Sequence, residues 1–149
     1  MEVTDPPCGP EGERITLAIP SRVSEIKHVV EAVVARCVAR EFPRRAVALN
    51  VPVALTEALA NAIVNGNGAD ADKHVRVDAC LDDCALVIEV HDEGTGFDLG
   101  ASTRGPADAD ALEREDGRGL FLMQALMDRV EQFPAAHGNV VRLTLRRRA

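Results

Sequence analysis

The stretch from His74 to His91 constrains the fold more than any other. Val75, Val77, Ala79 and Leu81 share one parity, Leu86, Ile88 and Val90 repeat it on a second run, and Arg76, Asp78 and Glu89 fall between. Period-two alternation sends one strand face into a core and the other away from it. The two runs therefore read as a hairpin turning at Asp82-Asp83. Its apolar face needs a cover, and the candidates are helical. Val23, Ile26, Val30, Val33 and Cys37 recur at steps of three and four as far as about Arg40, behind a short strand carrying Ile15, Leu17 and Ile19 that Pro20 stops. Ser21 or Ser24 can cap that helix, and Phe42-Pro43 ends it. Asn50, with Pro52 in the first turn, suits the start of a second helix that Gly66-Asn67-Gly68 stops. A third carries Leu120, Met123, Leu126 or Met127, and Val130 inward. Two last strands, around Arg129–Phe133 and Val140–Arg146, are joined by Pro134 to Asn139. Strands and helices are segregated along the chain. The expectation is an α+β two-layer sandwich, with helices on one face of a mixed, mostly antiparallel sheet.

Composition narrows the function classes. A chain of 149 residues fits one domain, read as residues 14–149 behind a disordered, Pro/Gly-rich leader at 1–13. Without Trp or Tyr, the core must be built from Val, Leu, Ile and Ala. A formal charge of −7 argues against direct nucleic-acid binding, and Arg146-Arg147-Arg148 reads as a solvated tail. No uninterrupted apolar run approaches the ~18 residues of a membrane span. The N-terminus is acidic where a signal peptide would be basic and then apolar, so a cytoplasmic protein is expected. No C-x-x-C occurs among Cys8, Cys37, Cys80 and Cys84. Pairing Leu81 with Cys84 across the turn puts Cys80 on the opposite face, so those two cannot bond, and four reduced thiols are expected.

Three polar features stand out from this frame. In Leu55–Asn67, Glu57, Asn61 and Asn65 are spaced four apart, a stripe along one side of a helix. Alone it fits either a solvent face or a metal-and-base pair looking into a pocket. Asp92-Glu93-Gly94-Thr95-Gly96 directly follows a strand; a carboxylate there can accept from an exocyclic amine, and glycine lets backbone approach a flat base. Gly117-Arg118-Gly119 opens a helix, where free N–H groups suit phosphate. The loop between them, Leu99 to Asp116, is long and polar, as functional loops often are. Neither glycine box is a Walker loop or a dinucleotide fingerprint.

The order of the three decides. A helix with E-x-x-x-N, then D-x-G-x-G after a strand, a polar loop, and G-x-G at a helix start resembles the GHKL (Bergerat-fold) ATPases over about Ile15 to Leu145. Phe97 after the first box, and Gly119-Leu120-Phe121 with Met127-Asp128 in the second, look most like the anti-sigma-factor serine-protein kinases, the RsbW- and SpoIIAB-like branch. The resemblance implies ATP and Mg²⁺ as cofactors. It makes Glu57 the general base and Asn61 the Mg²⁺ ligand. Asp92 would read the adenine amino group in a pocket shaped by Gly94, Gly96 and Phe97, with Asn65 beside it. Leu99–Asp116 would be a lid, and Gly117, Arg118, Gly119 and Leu120 would meet the phosphates at its far end. Arg104 or Arg118 could offset phosphate charge, although solvation is the ordinary state of either. Two positions depart from the family: Asn65 stands where His is frequent, and Asn139 where Thr is frequent.

By the same resemblance the partners are a STAS-domain anti-anti-sigma factor, phosphorylated on serine, and a sigma factor, in a partner-switching pathway; related kinases suggest a homodimer. The alternatives are an ATP-gated binding module with little kinase turnover and a free-standing ATPase. None of the four histidines sits in a phosphoacceptor helix: His28 lies in KHVVEAVV.

Overall fold

A computed structural model describes residues 12–94 and 115–147, with the side chains of 115–117 left undescribed. Five strands form one sheet: β1 (Glu13–Pro20), β2 (His74–Leu81), β3 (Ala85–His91), β4 (Arg129–Ala135) and β5 (Gly138–Arg146). Their order is β1-β2-β3-β5-β4, and every pairing is antiparallel. Among the described residues three helices accompany them: α1 (Ile26–Ala39) after a 3₁₀ turn at Val23–Glu25, α2 (Val51–Ala60), and α3 (Glu115–Leu126). The expected α+β architecture is present, with the sheet antiparallel throughout the described residues.

Parity places the core as anticipated. Val75, Val77, Ala79, Leu81, Leu86, Ile88 and Val90 are all fully buried, joined from β5 by Val141, Leu143 and Leu145. Against them pack Val29, Val33 and Cys37 of α1, Val51, Ala54, Leu55, Ala58 and Leu59 of α2, and Leu120 and Met123 of α3. The hairpin register differs from expectation by two residues: Leu81 pairs with Leu86, not Cys84. The reason is the turn. Asp82 Oδ1 accepts from the N–H groups of Cys84 (2.7 Å) and Ala85 (2.9 Å), which stabilises a longer connection. A shift of two keeps every side chain on its face. Cys84 is exposed and free, so the exclusion of a Cys80–Cys84 bond holds. Cys80, however, is disulfide-bonded, which corrects the expectation of four reduced thiols.

The second helix is longer than its caps suggested. π-helical turns at Ala46–Asn50 and Asn61–Gly66 extend α2 at both ends into one 21-residue helix. Asn50 has helical dihedrals and makes no cap bond; its amide instead donates to the Leu126 carbonyl (2.6 Å), satisfying the end of α3. Pro52 contributes no N–H, and the ladder shifts to wider spacing just before it. Ser21 is likewise no cap: it is buried and donates to the Lys73 carbonyl. By length and hydropathy the helix Ala46–Gly66 could cross a bilayer, which the broken apolar run had not suggested. Here its apolar side is a core helix, with Val51, Ala54, Leu55, Ala58 and Leu59 sealed against the sheet. At the C-terminus the last hairpin is tighter than expected, with Ala135 opposite Gly138.

Candidate nucleotide site

Glu57 and Asn61 lie on the side of α2 that meets α3. A Cβ placed on Gly119 would stand 3.0 Å from Glu57 Oε2 and 3.3 Å from Asn61 Nδ2, so glycine lets α3 lie close against both groups. Asn61 is buried, and Asn65, exposed, donates to its Oδ1 at 3.3 Å. Asn61 also begins a π-helical turn that runs to Gly66. Such turns interrupt α-helices most often at functional sites. Asn61 Nδ2 is buried with no hydrogen-bond partner. A buried unpaired amide is costly, which fits a group held ready for a ligand. Rotating the carboxamide exchanges its oxygen and nitrogen and turns an oxygen toward that unfilled position. The donor set therefore fits Mg²⁺, which takes one or two protein oxygens and completes its shell with phosphate and water.

Asp92 leaves β3 on the same side of the sheet and is buried. Its Oδ1 accepts from the N–H groups of Gly94 (3.0 Å) and Asn139 (3.2 Å), and its own N–H donates to the Asn139 carbonyl at 3.0 Å. Burial raises its carboxyl above the usual range, against the lowering effect of those two amides. Its other oxygen takes no hydrogen bond among the described residues. Gly66, at the end of the π turn, packs directly on that carboxylate; a side chain there would collide with it. Gly94 lies against the Gly66 carbonyl so closely that a Cβ has no room. The first glycine box and the end of the helix that carries Glu57 and Asn61, the N-box helix, are thus one packed unit.

Glu57, Asn61, Gly119, Asp92 and Gly94 are brought to one side of the sheet. Asn65 and Arg118 are exposed at its margin, and Leu120 is packed in the core. Gly117 falls inside α3, which begins at Glu115 rather than after Asp116; acidic residues favour a first helical turn. Gly96, Phe97, Arg104 and most of Leu99–Asp116 lie outside the described residues. Sequence reasoning passed over Gly66, Asn67 and Ser21, reading them as helix punctuation.

A cleft of about 700 Å³ opens on the other side of Asp92, lined by it and by His74, Arg76, His91, Glu93, His137 and Val140 among others. Arg76, His91 and Val140 point to the face away from the helices. On that face Asp78, Glu89 and His91 bring three possible metal ligands together. Arg142 reaches Glu89 at 2.6 Å and Arg76 reaches Asp78 at 3.0 Å, so two guanidinium charges already offset the two carboxylates.

The model of the histidine kinase-like ATPase domain matches residues 17–145, nearly the whole described sheet and its helices. The chain belongs to this family. Among other histidine kinase-like ATPase relatives, the serine-protein kinase RsbW of Listeria monocytogenes is 33% identical over 56% of this chain and 57% of its own length. The anti-sigma F factor of Clostridium perfringens is 31% identical, over 56% and 61%. That of Bacillus thuringiensis is 26% identical over 83% of this chain and 86% of its own. The aligned stretch thus spans about three fifths of the first two relatives, and most of the third.

Proposed function

We propose that this chain binds ATP with Mg²⁺ between α2 and the glycine turns, phosphorylates a serine on a STAS-type anti-anti-sigma factor, and acts as an anti-sigma factor. The observation that carries the reading is the convergence of Glu57 and Asn61 on Gly119, on the side of the sheet that also holds Asp92. The names of the relatives, a serine-protein kinase and anti-sigma F factors, support a serine-kinase reaction and a sigma-factor partner.

In this reading Asp92 accepts the adenine amino group. The first turn of α3 offers N–H groups to the phosphates, and Arg118 stands at its exposed side. Mg²⁺ would be held by Asn61 through its amide oxygen and would offset phosphate charge. The serine Oγ attacks the γ-phosphorus, its proton passes to Glu57, and the bond to the β–γ bridging oxygen breaks to release ADP. Positioning and charge stabilisation do most of the work in such transfers, so a short list of side chains suffices. Added negative charge on the partner then weakens its hold on this protein and frees it to bind a sigma factor.

Labelled ATP incubated with the purified chain and its anti-anti-sigma partner tests this. The wild type is expected to put label on a serine. Glu57→Gln should keep ATP affinity within about twofold while transfer falls by roughly 10²–10⁴. Full transfer by that variant removes Glu57 from the mechanism. One feature favours a second reading: Asn65 engages the oxygen of Asn61 that the metal needs. A tight, ATP-dependent partner complex with no label transfer from the wild type would make this an ATP-gated binding module instead.

A further inference from the structure

Four elements meet at one buried side chain, Asn67, just past the end of the N-box helix. It is 2% exposed and all its polar atoms are used. Its amide donates to Ser21 Oγ (2.8 Å) at the end of β1 and to the His74 carbonyl (3.0 Å) at the start of β2. Its Oδ1 accepts the Glu93 N–H at 2.7 Å, in the turn that follows β3. Ser21 is itself buried and donates onward to the Lys73 carbonyl at 2.8 Å. The Glu93 carboxylate accepts the His74 N–H, closing the same junction from the other side.

The three amides of the Asp92–Glu93–Gly94 turn can all be traced. Asp92 N–H goes to β5, Gly94 N–H goes back to Asp92 Oδ1, and Glu93 N–H goes to Asn67. Only the last ties the turn to the N-box helix through a side chain. Gly66 and Gly94 press the same two segments together by contact, but contact alone permits sliding. A hydrogen bond to a fully satisfied buried carboxamide fixes the register along the contact.

We propose that Asn67 is a positioning residue for base selection: by holding the Glu93 N–H it sets where the unbonded oxygen of Asp92 stands, and so the preference for a purine carrying a 6-amino group. This rests on the reading that Asp92 accepts from that amine. An acceptor discriminates an amine from a carbonyl only while it is aimed, because a buried polar group left unpaired costs most of what the correct pair gains.

The test compares binding of ATP and inosine triphosphate, whose 6-position is a carbonyl, by calorimetry on the full chain with Mg²⁺. Asn67→Ala is expected to weaken ATP about tenfold, the worth of one hydrogen bond, and inosine triphosphate by less than about twofold, so the preference collapses. Asn67→Asp keeps the acceptor for Glu93 but loses both donors. It should unfold at lower urea yet retain the preference. If Asn67→Ala does not fold, Asn67→Ser, whose hydroxyl falls short of Glu93, reads the same ratio. An equal loss for both nucleotides, or an unchanged ratio, makes Asn67 a fold residue only and overturns the inference. So does a lost ratio in Asn67→Asp. Asp92→Asn separates the two layers: exchanging acceptor for donor should invert the preference. If it leaves the preference intact, the base-reading assignment itself fails; if it inverts it while Asn67→Ala does nothing, only the role of Asn67 fails.

Discussion

In the proposed site, Asp92 is a side chain whose burial sets stability against binding. Burial disfavours its charged form, so its folded pKa stands above the ordinary carboxylate value. Stability tied to this group is therefore fully present at low pH and is lost as pH rises through that raised value. Near neutral pH the empty protein carries the cost of a desolvated carboxylate. Asp92→Asn should accordingly raise the urea midpoint of the empty chain at neutral pH, and the gain should shrink as pH falls and the wild type protonates. The same substitution should weaken ATP binding, a pairing of gain and loss common at functional sites. A lower midpoint at neutral pH would mean that the amides of Gly94 and Asn139 outweigh burial. Cys37 is a second case: burial, with the charge of Glu13 adding to it, pushes its thiol up to about 11. A maleimide should label exposed Cys84 quickly and reach Cys37 only on unfolding. Equal labelling rates in the native state would contradict its burial.

At the scale of elements, the outer face of the sheet is held by charge rather than by apolar contact. Glu89 is fully buried and pairs with Arg142 at 2.8 and 2.6 Å from β5, and with His91 at 3.2 Å two residues along β3. Arg142 also lies over the Phe133 ring of β4, 4.9 Å from its centroid. Removing one partner of such a pair strands the other. Glu89→Ala should cost about 3 kcal/mol in urea unfolding, the lower end of the range because Arg142 keeps a path to water. The double apolar replacement Glu89→Leu with Arg142→Met should recover most of it. Failure of the double variant to recover would mean that shape, not charge, holds β3 to β5. Burial, then the neighbouring Arg76, lowers the His91 pKa against the pull of Glu89 and Asp78. A depressed histidine contributes stability above its unfolded pKa, about 6.5, and loses it as pH falls through the folded value. The urea midpoint should therefore drop below about pH 6.5, and His91→Gln should flatten that drop.

For the whole molecule, the site is a seam between layers, and its two walls come from distant parts of the chain. Ligand that binds only the folded seam must stabilise the entire domain. At a hundred times its dissociation constant ATP with Mg²⁺ should add about 2.7 kcal/mol, or roughly 5–10 °C in a domain of this size. Asn61→Ala should remove most of the part of that shift that depends on Mg²⁺. A melting temperature that ignores ATP in the wild type would count against the proposed site altogether.

Sequence alone determined what depends on periodicity and on residue chemistry. The inward parity of β2 and β3 and the order of the three polar boxes were legible because neighbours in sequence decide them. So was the pairing of Glu57 with Asn61, since four residues of helix put them on one side. The face of α1 was legible only in part: Val33 and Cys37 are buried, but Val29 is buried too and Val23 is 61% exposed. What sequence left undecided depends on groups far apart in the chain. Asn50 reads as a cap, yet it serves the end of α3, seventy-six residues away. The hairpin register shifted by two because a side chain in the turn, not the strands, selected the loop. Gly66-Asn67 reads as a helix stop because no local pattern announces that the Glu93 amide will arrive beside it. Tertiary packing decided that, because the turn after β3 brings the Glu93 N–H to an acceptor on another element, Asn67 Oδ1 at 2.7 Å.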